Sequence, residues 1–316
     1  DPALAAAVAE TLRAPDAPLT LEGLRALETL DATGRGVRSL DGLQHAANLT
    51  ALRVGRNRIS NLSPVGNLRK LETLVVDGNP VESLSGLETL VSLRIFHAVD
   101  TRLTDIDAAR HWNNLIGITI TGGSFAALDP LANKPSLKAV WVPDNNVRDI
   151  AALSTLPQLR ILVLGENPIR SLDAIKTLTD LVDLGLFDLN LTDINVLNGM
   201  TKLERINLQR NDLESIAPLK NAENLKWLDV TDNRLTQIDA LSSARTLERL
   251  LIARNQRFAQ RRRLRMQRAF NGSARMQMTF HQSNRSPRFP CCAAYRSPTI
   301  ILIMNAGRKP PRQSAP

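Results

Sequence analysis

Proton transfer is the first chemistry that the residue types allow. His97 has Asp77 and Asp100 near it in the sequence pattern, and an imidazole beside carboxylates can act as a general base because its charge changes near neutral pH. An ordinary surface histidine fits the same pattern and is the simpler reading. His45 and His111 fall in turns, His281 lies far downstream, and no two of the four histidines have the spacing of metal ligands. No serine, histidine and aspartate are brought together by the pattern, and Gly122 and Gly123 stand alone without the rest of a phosphate-binding loop. Both cysteines, Cys291 and Cys292, come after residue 255, which leaves the larger part of the chain without a thiolate. The expectation is a protein with no catalytic residue, no metal and no cofactor.

A row of asparagines is the second polar feature. Asn57, Asn79, Asn145, Asn167, Asn211, Asn233 and Asn255 share one slot, spaced by multiples of 22 residues. An amide carries donors and an acceptor, so it can satisfy buried backbone groups where a chain turns, and stacked copies would form a ladder. That structural ladder outweighs a polar active site. Arg35, Thr101, Gly123 and Leu189 take the slot in the other copies, which predicts local irregularity over residues 98–125.

The elements that hold these residues come from a repeat. Leucine recurs every 22 residues at Leu27, Leu49, Leu71, Leu93, Leu115, Leu137, Leu159, Leu181, Leu203, Leu225 and Leu247, without an insertion. One copy reads Leu159, Leu162, Leu164, Asn167, Ile169, Leu172, Ile175, Leu178. Its L-x-L alternation suits a short strand with one buried face, and its later apolar residues at every third position suit 3-10 turns. A single copy cannot bury its own apolar edge, so the copies must stack around a continuous core. This is the leucine-rich-repeat signature. The expected fold class is α/β: a leucine-rich-repeat solenoid, a horseshoe arc with a parallel sheet on its concave side, 3-10 and irregular turns on its convex side, and a helical N-terminal cap. The expected domains are a cap over residues 1–26, eleven repeats over 27–255 and a basic tail over 256–316. In the cap, Asp1 and Pro2 open a helix with Leu4, Val8 and Leu12 on one face, and a second turn begins at Thr20.

With that register, outward strand positions can be read off. The fifth residues of their repeats include His97, Trp141, Val163 and Asp229; the third residues include Asp183, Arg205 and Trp227; Phe187 is a seventh. Aromatic residues are only 3% of the chain, so three of them on one predicted face, beside Asp144, Glu166, Asp188, Arg210 and Asp232, suggest an exposed cluster for binding a protein. Trp112 instead takes a leucine slot and is expected in the core.

The 22-residue unit, with DPALAAAVAETL before it and LETLDATGRGVRSLDGLQHAANLTAL leading in, resembles the internalin-type leucine-rich-repeat domains of bacterial surface and secreted proteins across residues 1–255. The resemblance implies non-enzymatic recognition of a protein ligand through the concave face, in a secreted or cell-surface location. Internalin-like proteins usually continue into an immunoglobulin-like segment and a wall anchor, which residues 256–316 do not match. An intracellular regulatory scaffold of the phosphatase-associated repeat type is the alternative, with a cytoplasmic location. A monomer with no small-molecule substrate is expected in either case.

The formal charge of +9 is divided unevenly. Residues 1–255 hold all 31 acidic residues and carry −4, while residues 256–316 carry +13. The basic character therefore says nothing about what the repeats bind. Three readings of the tail follow: an out-of-frame or unrelated stretch, which the abrupt loss of acidic residues favours; a capping or disordered extension with Phe258, Leu264 and Phe270 turned inward; or an arginine-rich arm for nucleic acid or an anionic membrane. Poor order is expected after about residue 270. No stretch approaches the roughly 20 apolar residues that cross a bilayer. A chain opening on Asp1 fits an export signal already removed.

Overall fold

The computed structural model describes residues 1–14 and 18–255, together with the backbone of Gln277–Thr279. Phe258, Leu264, Phe270, the paired cysteines and the arginine-rich arm lie outside the described residues.

Helix α1 (Pro2–Thr11) starts where the sequence places its cap. Asp1 Oδ1 accepts from the Leu4 amide at 3.0 Å, and Pro2 takes a first-turn position whose N–H has no helical partner anyway. The other carboxylate oxygen accepts from the amides of Arg38 at 2.8 Å and Ser39 at 3.3 Å, so one residue both caps the helix and fastens it to the first repeat. Leu4 and Val8 are buried and Leu12 packs against the same core. A second short helix, α2 (Leu21–Ala26), begins at Thr20, whose hydroxyl accepts from the Gly23 amide.

Eleven short strands follow at the repeat spacing: β1 (Thr29–Asp31), β2 (Ala51–Arg53), β3 (Thr73–Val75), β4 (Ile95–Ala98), β5 (Gly117–Ile120), β6 (Ala139–Trp141), β7 (Ile161–Val163), β8 (Asp183–Gly185), β9 (Arg205–Asn207), β10 (Trp227–Asp229) and β11 (Arg249–Leu251). Each pairs in parallel with the next in sequence, as Leu162 with Leu184 and Leu184 with Ile206. The middle residue of each pair is a buried leucine, isoleucine, valine or phenylalanine, so like stacks on like through the whole sheet. Burial of one such side chain contributes about 1.5–3 kcal/mol, and a neighbouring repeat is needed to provide it. A twelfth strand, β12 (Gln277–Thr279), pairs beyond β11, where the 22-residue step does not reach.

Opposite the sheet, the apolar residues at every third position form 3-10 turns, for example Ala151–Thr155, Asp173–Thr177 and Ala217–Asn221. Trp112 ends one such turn in a leucine slot and is fully buried, its indole N–H donating to the Leu87 carbonyl at 2.9 Å and its ring 5.1 Å from that of Phe96. Lys134 occupies the same slot one repeat later. Its side chain is buried, with Nζ donating to the Arg110 carbonyl at 3.4 Å, and burial draws its pKa down.

Irregularity over residues 98–125 proves narrower than the missing asparagines suggest. Register runs unbroken through β3, β4, β5 and β6. Only the bonds at the strand ends change: the Asp100 amide donates to the Thr121 hydroxyl, and the Thr101 amide takes the Thr121 carbonyl. Stacked core leucines hold the register, and the polar slot merely tidies the turn.

The eighth residue of every repeat is left-handed, from Gly34 through Arg56, Gly78, Asp100, Gly122, Asp144, Glu166, Asp188, Arg210 and Asp232 to Arg254, with φ between 53° and 72°. This conformation turns the chain off the strand. For a residue other than glycine it costs roughly 1–2 kcal/mol, and it persists because the stack on either side fixes it.

Candidate interaction face

Strand residues alternate between the core and the open face of the sheet. The asparagine slot lies just beyond the left-handed turn and faces neither solvent nor ligand. Asn167 Nδ2 donates to the carbonyls of Val142 at 2.8 Å, Leu164 at 2.8 Å and Gly165 at 3.1 Å, while its Oδ1 accepts from the Val147 amide at 2.9 Å. Asn57, Asn79, Asn211, Asn233 and Asn255 donate in the same way and are buried; Asn145 does so while half-buried. The amide groups are thus consumed by backbone in two adjoining repeats.

Of the eight residues expected to point outward for a ligand, half do not offer an exposed side chain. Val163, Asp183, Phe187 and Asp229 are buried, whereas His97, Trp141, Arg205 and Trp227 are half-buried on the open face. Glycine explains two of these corrections. Phe187 lies across Gly165, where a methyl group would collide with its ring, and Val163 leans over Gly185, where an added Cβ would come within 2.9 Å of a valine methyl. Without a side chain beside them, each of the two apolar groups lies over a neighbouring glycine and is buried.

Burial of the two aspartates has another cause. Asp183 and Arg205 stand opposite each other on β8 and β9, and Arg205 Nε reaches both carboxylate oxygens at 2.9 Å while a terminal nitrogen reaches one at 2.5 Å. The guanidinium covers the carboxylate. Burial pushes the Asp183 pKa up, and the Arg205 hydrogen bonds and charge oppose it. Asp229 bends back to accept from the Thr231 amide at 2.9 Å, and burial raises its pKa too.

Nor do the three aromatic residues form one cluster. Trp141 on β6 and Trp227 on β10 are four strands apart, about 19 Å at the spacing of a parallel sheet. Phe187, between them, is buried. Two separate indoles remain on the open face.

His97 has Val75 opposite it on β3, and Asp77 lies just past that strand. Asp77 Oδ1 accepts from the Val99 amide at 2.8 Å. Burial lowers the His97 pKa, with the Asp77 charge working the other way, and burial raises that of Asp77 against its Val99 hydrogen bond. The Arg53 charge also lowers the His97 pKa, and Asp100 and Arg56 act on Asp77 in opposite senses. Among the described residues no group of three or more histidines, cysteines, aspartates or glutamates could hold a metal ion, and no helix is long and apolar enough to cross a membrane.

Two features of this face were not read from the sequence. One is the left-handed row, whose signal is the glycine or aspartate standing just before the asparagine slot in seven repeats. The other is the pairing of small and large residues in Gly165 with Phe187 and in Gly185 with Val163.

A parallel sheet built from identical steps, a turn side of 3-10 segments, an asparagine ladder and a capping helix define a leucine-rich-repeat protein. No family model and no curated protein matches the chain. Among solved structures it is similar to an internalin, InlF, from Listeria monocytogenes, with a TM-score of 0.75 and 24% identity over 80% of this chain and 82% of that one. It is also similar to the functional domain of InlJ from Listeria monocytogenes, which includes a cysteine ladder, with a TM-score of 0.67 and 21% identity over 80% of this chain and 57% of that one. The ectodomain of the Arabidopsis thaliana receptor kinase GASSHO1/SCHENGEN3, solved in complex with CASPARIAN STRIP INTEGRITY FACTOR 2, matches with a TM-score of 0.57 and 21% identity over 69% of this chain and 31% of that one.

Proposed function

We propose that this chain is a non-enzymatic recognition protein that binds another protein through the open face of its sheet, in a secreted or cell-surface setting. The observation that carries this reading is the state of the face itself. Its buried polar groups are satisfied internally, while Trp141 and Trp227 keep part of their large rings at the surface, where such side chains contribute most to binding. Two similarities support it: the internalins share the architecture, and the plant ectodomain was solved in complex with CASPARIAN STRIP INTEGRITY FACTOR 2.

The test is affinity capture on the immobilised full chain, with retained proteins identified by mass spectrometry. Trp141→Ala and Trp227→Ala are expected to lose the retained protein with little change in thermal unfolding. Glu88→Gln and Val91→Ser, the first half-buried and the second exposed on the turn side, are expected to keep it. Loss caused by the turn-side variants, with none from the tryptophan variants, would place recognition elsewhere.

A further inference from the structure

Over the repeats that begin at Leu93 to Leu159, the charged residues at the two ends of the strands are sorted by sign, whereas Glu204 with Arg210 and Glu248 with Arg254 run in the opposite sense further along. The second residue of a repeat stands at one end of its strand, and the eighth stands in the left-handed turn at the other end. In the repeats that begin at Leu93, Leu137 and Leu159, the second residue is a cation and the eighth a carboxylate: Arg94 with Asp100, Lys138 with Asp144, Arg160 with Glu166. All three pairs run in the same sense. Between the rows, the third, fifth and seventh residues of the repeats beginning at Leu115, Leu137 and Leu159 include no ionisable side chain; Thr119, Ala139 and Trp141 are half-buried there and the other six are buried. Trp141 lies at the middle of that neutral strip, halfway between Lys138 and Asp144.

The rows exist in space as well as in sequence. Arg94 reaches Glu72 at 3.4 Å along the second-residue row, and Arg210 bonds both Glu166 and Asp188 along the eighth-residue row. Lys138 and Asp144 form no ion pair among the described residues, so the two charges that flank Trp141 stay available.

We propose that the neutral strip is the docking site of an amphipathic helix from a partner protein, with acidic residues along one flank of its apolar face and basic residues along the other. This rests on the reading that the open face binds protein, and it names the chemistry of the partner. The dimensions agree. Third to seventh residue spans about 13 Å of strand, against the 10–12 Å diameter of a helix with its side chains. From β4 to β7 the strip and its flanking rows extend over about 14 Å across the strands, the length of roughly 10 helical residues, so a helix of about 13 covers them. Exposed ion pairs each contribute little to affinity, but two rows of opposite sign fix the direction in which the helix lies and reject a like-charged flank. A row of carboxylates also repels the phosphates of a nucleic acid, which makes a polypeptide the better occupant.

Titration of the full chain with synthetic peptides tests this. Two lactam-stapled helices of about 13 residues share the same leucine face; one has all lysines on one flank and all glutamates on the other, and the second has the same charges mixed on both flanks. A β-hairpin with segregated charges is the third probe. The segregated helix is expected to bind at least about tenfold more tightly than the mixed one at low salt, and the difference should vanish near 1 M salt, where screening acts within about 3 Å. Lys138→Gln with Asp144→Asn should remove most of the preference without shifting thermal unfolding, and Trp141→Ala should weaken both helices. Equal affinity for the two helices, including no binding by either, overturns the proposal. Tighter binding of the hairpin overturns the helical occupant. Continued dependence of protein capture on Trp141 after either result would leave the open-face reading standing while this one falls.

Discussion

The ring of Phe187 lies on Gly165, one strand away, in the space that any Cβ at Gly165 would occupy. An aromatic residue that the alternating pattern points toward solvent is thereby buried on the outer surface of a sheet. Gly165→Ala should therefore destabilise the protein by about 1–3 kcal/mol, the usual range for overpacking. Phe187→Ala should also destabilise, by loss of burial. In the double variant the added methyl no longer meets a ring, so the combined loss should be smaller than the sum of the two single losses in urea unfolding. Strict additivity would show that the contact carries no energy.

Asn167 shares its two N–H groups among three backbone carbonyls and accepts from one amide, and Asn145 donates to the equivalent carbonyls and accepts from the Gly123 amide while half-buried. Each buried backbone group left unpaired costs about 1–3 kcal/mol, less where water can replace the lost partner. Asn167→Ala is thus expected to cost on the order of 3 kcal/mol and Asn145→Ala about half of that, measured by chemical denaturation. Similar losses at both sites would mean that the ladder is equally dry along its length.

Lys134 sits where neighbouring repeats place Trp112 and Leu156, with a 3.4 Å hydrogen bond to the Arg110 carbonyl. A buried ammonium is poorly compensated by one long bond. Lys134→Leu should raise the melting temperature at pH 7. The pKa of Lys134 is lowered in the folded state, so the unfolded chain holds the proton more tightly, and the native protein should gain stability as pH rises toward 10.5. That gain should be absent from the leucine variant.

For His97, burial lowers the folded pKa below its ordinary value of 6.5, against the opposing charge of Asp77 and with help from Arg53. The unfolded chain then binds a proton that the folded one resists, so stability is full above about pH 6.5 and declines as pH falls through that value. His97→Gln should lose less stability than the parent between pH 7 and pH 5, as followed by thermal unfolding. Asp77 contributes in the opposite sense, because its raised pKa favours the folded state as the carboxylate becomes protonated at lower pH. A parent and variant with parallel profiles would place His97 in ordinary solvent.

Sequence determined the parts of this protein that repeat. A leucine every 22 residues can be buried only by stacking like on like, which fixes strand position, parallel pairing and register from Leu30 to Leu250. The caps at Asp1 and Thr20, the core place of Trp112 and the inward turn of the asparagines follow from equally local chemistry. What the tertiary structure decided is the fate of side chains on the open face. Alternation says only that Val163, Asp183, Phe187 and Asp229 point away from the core. Whether Val163, Asp183 and Phe187 meet water depends on the residue 22 positions away, a glycine that lets a side chain lie down or an arginine that covers a carboxylate, while Asp229 is turned back by the Thr231 amide. Exposure on a sheet is a property of neighbouring strands, and a single strand's pattern does not contain it.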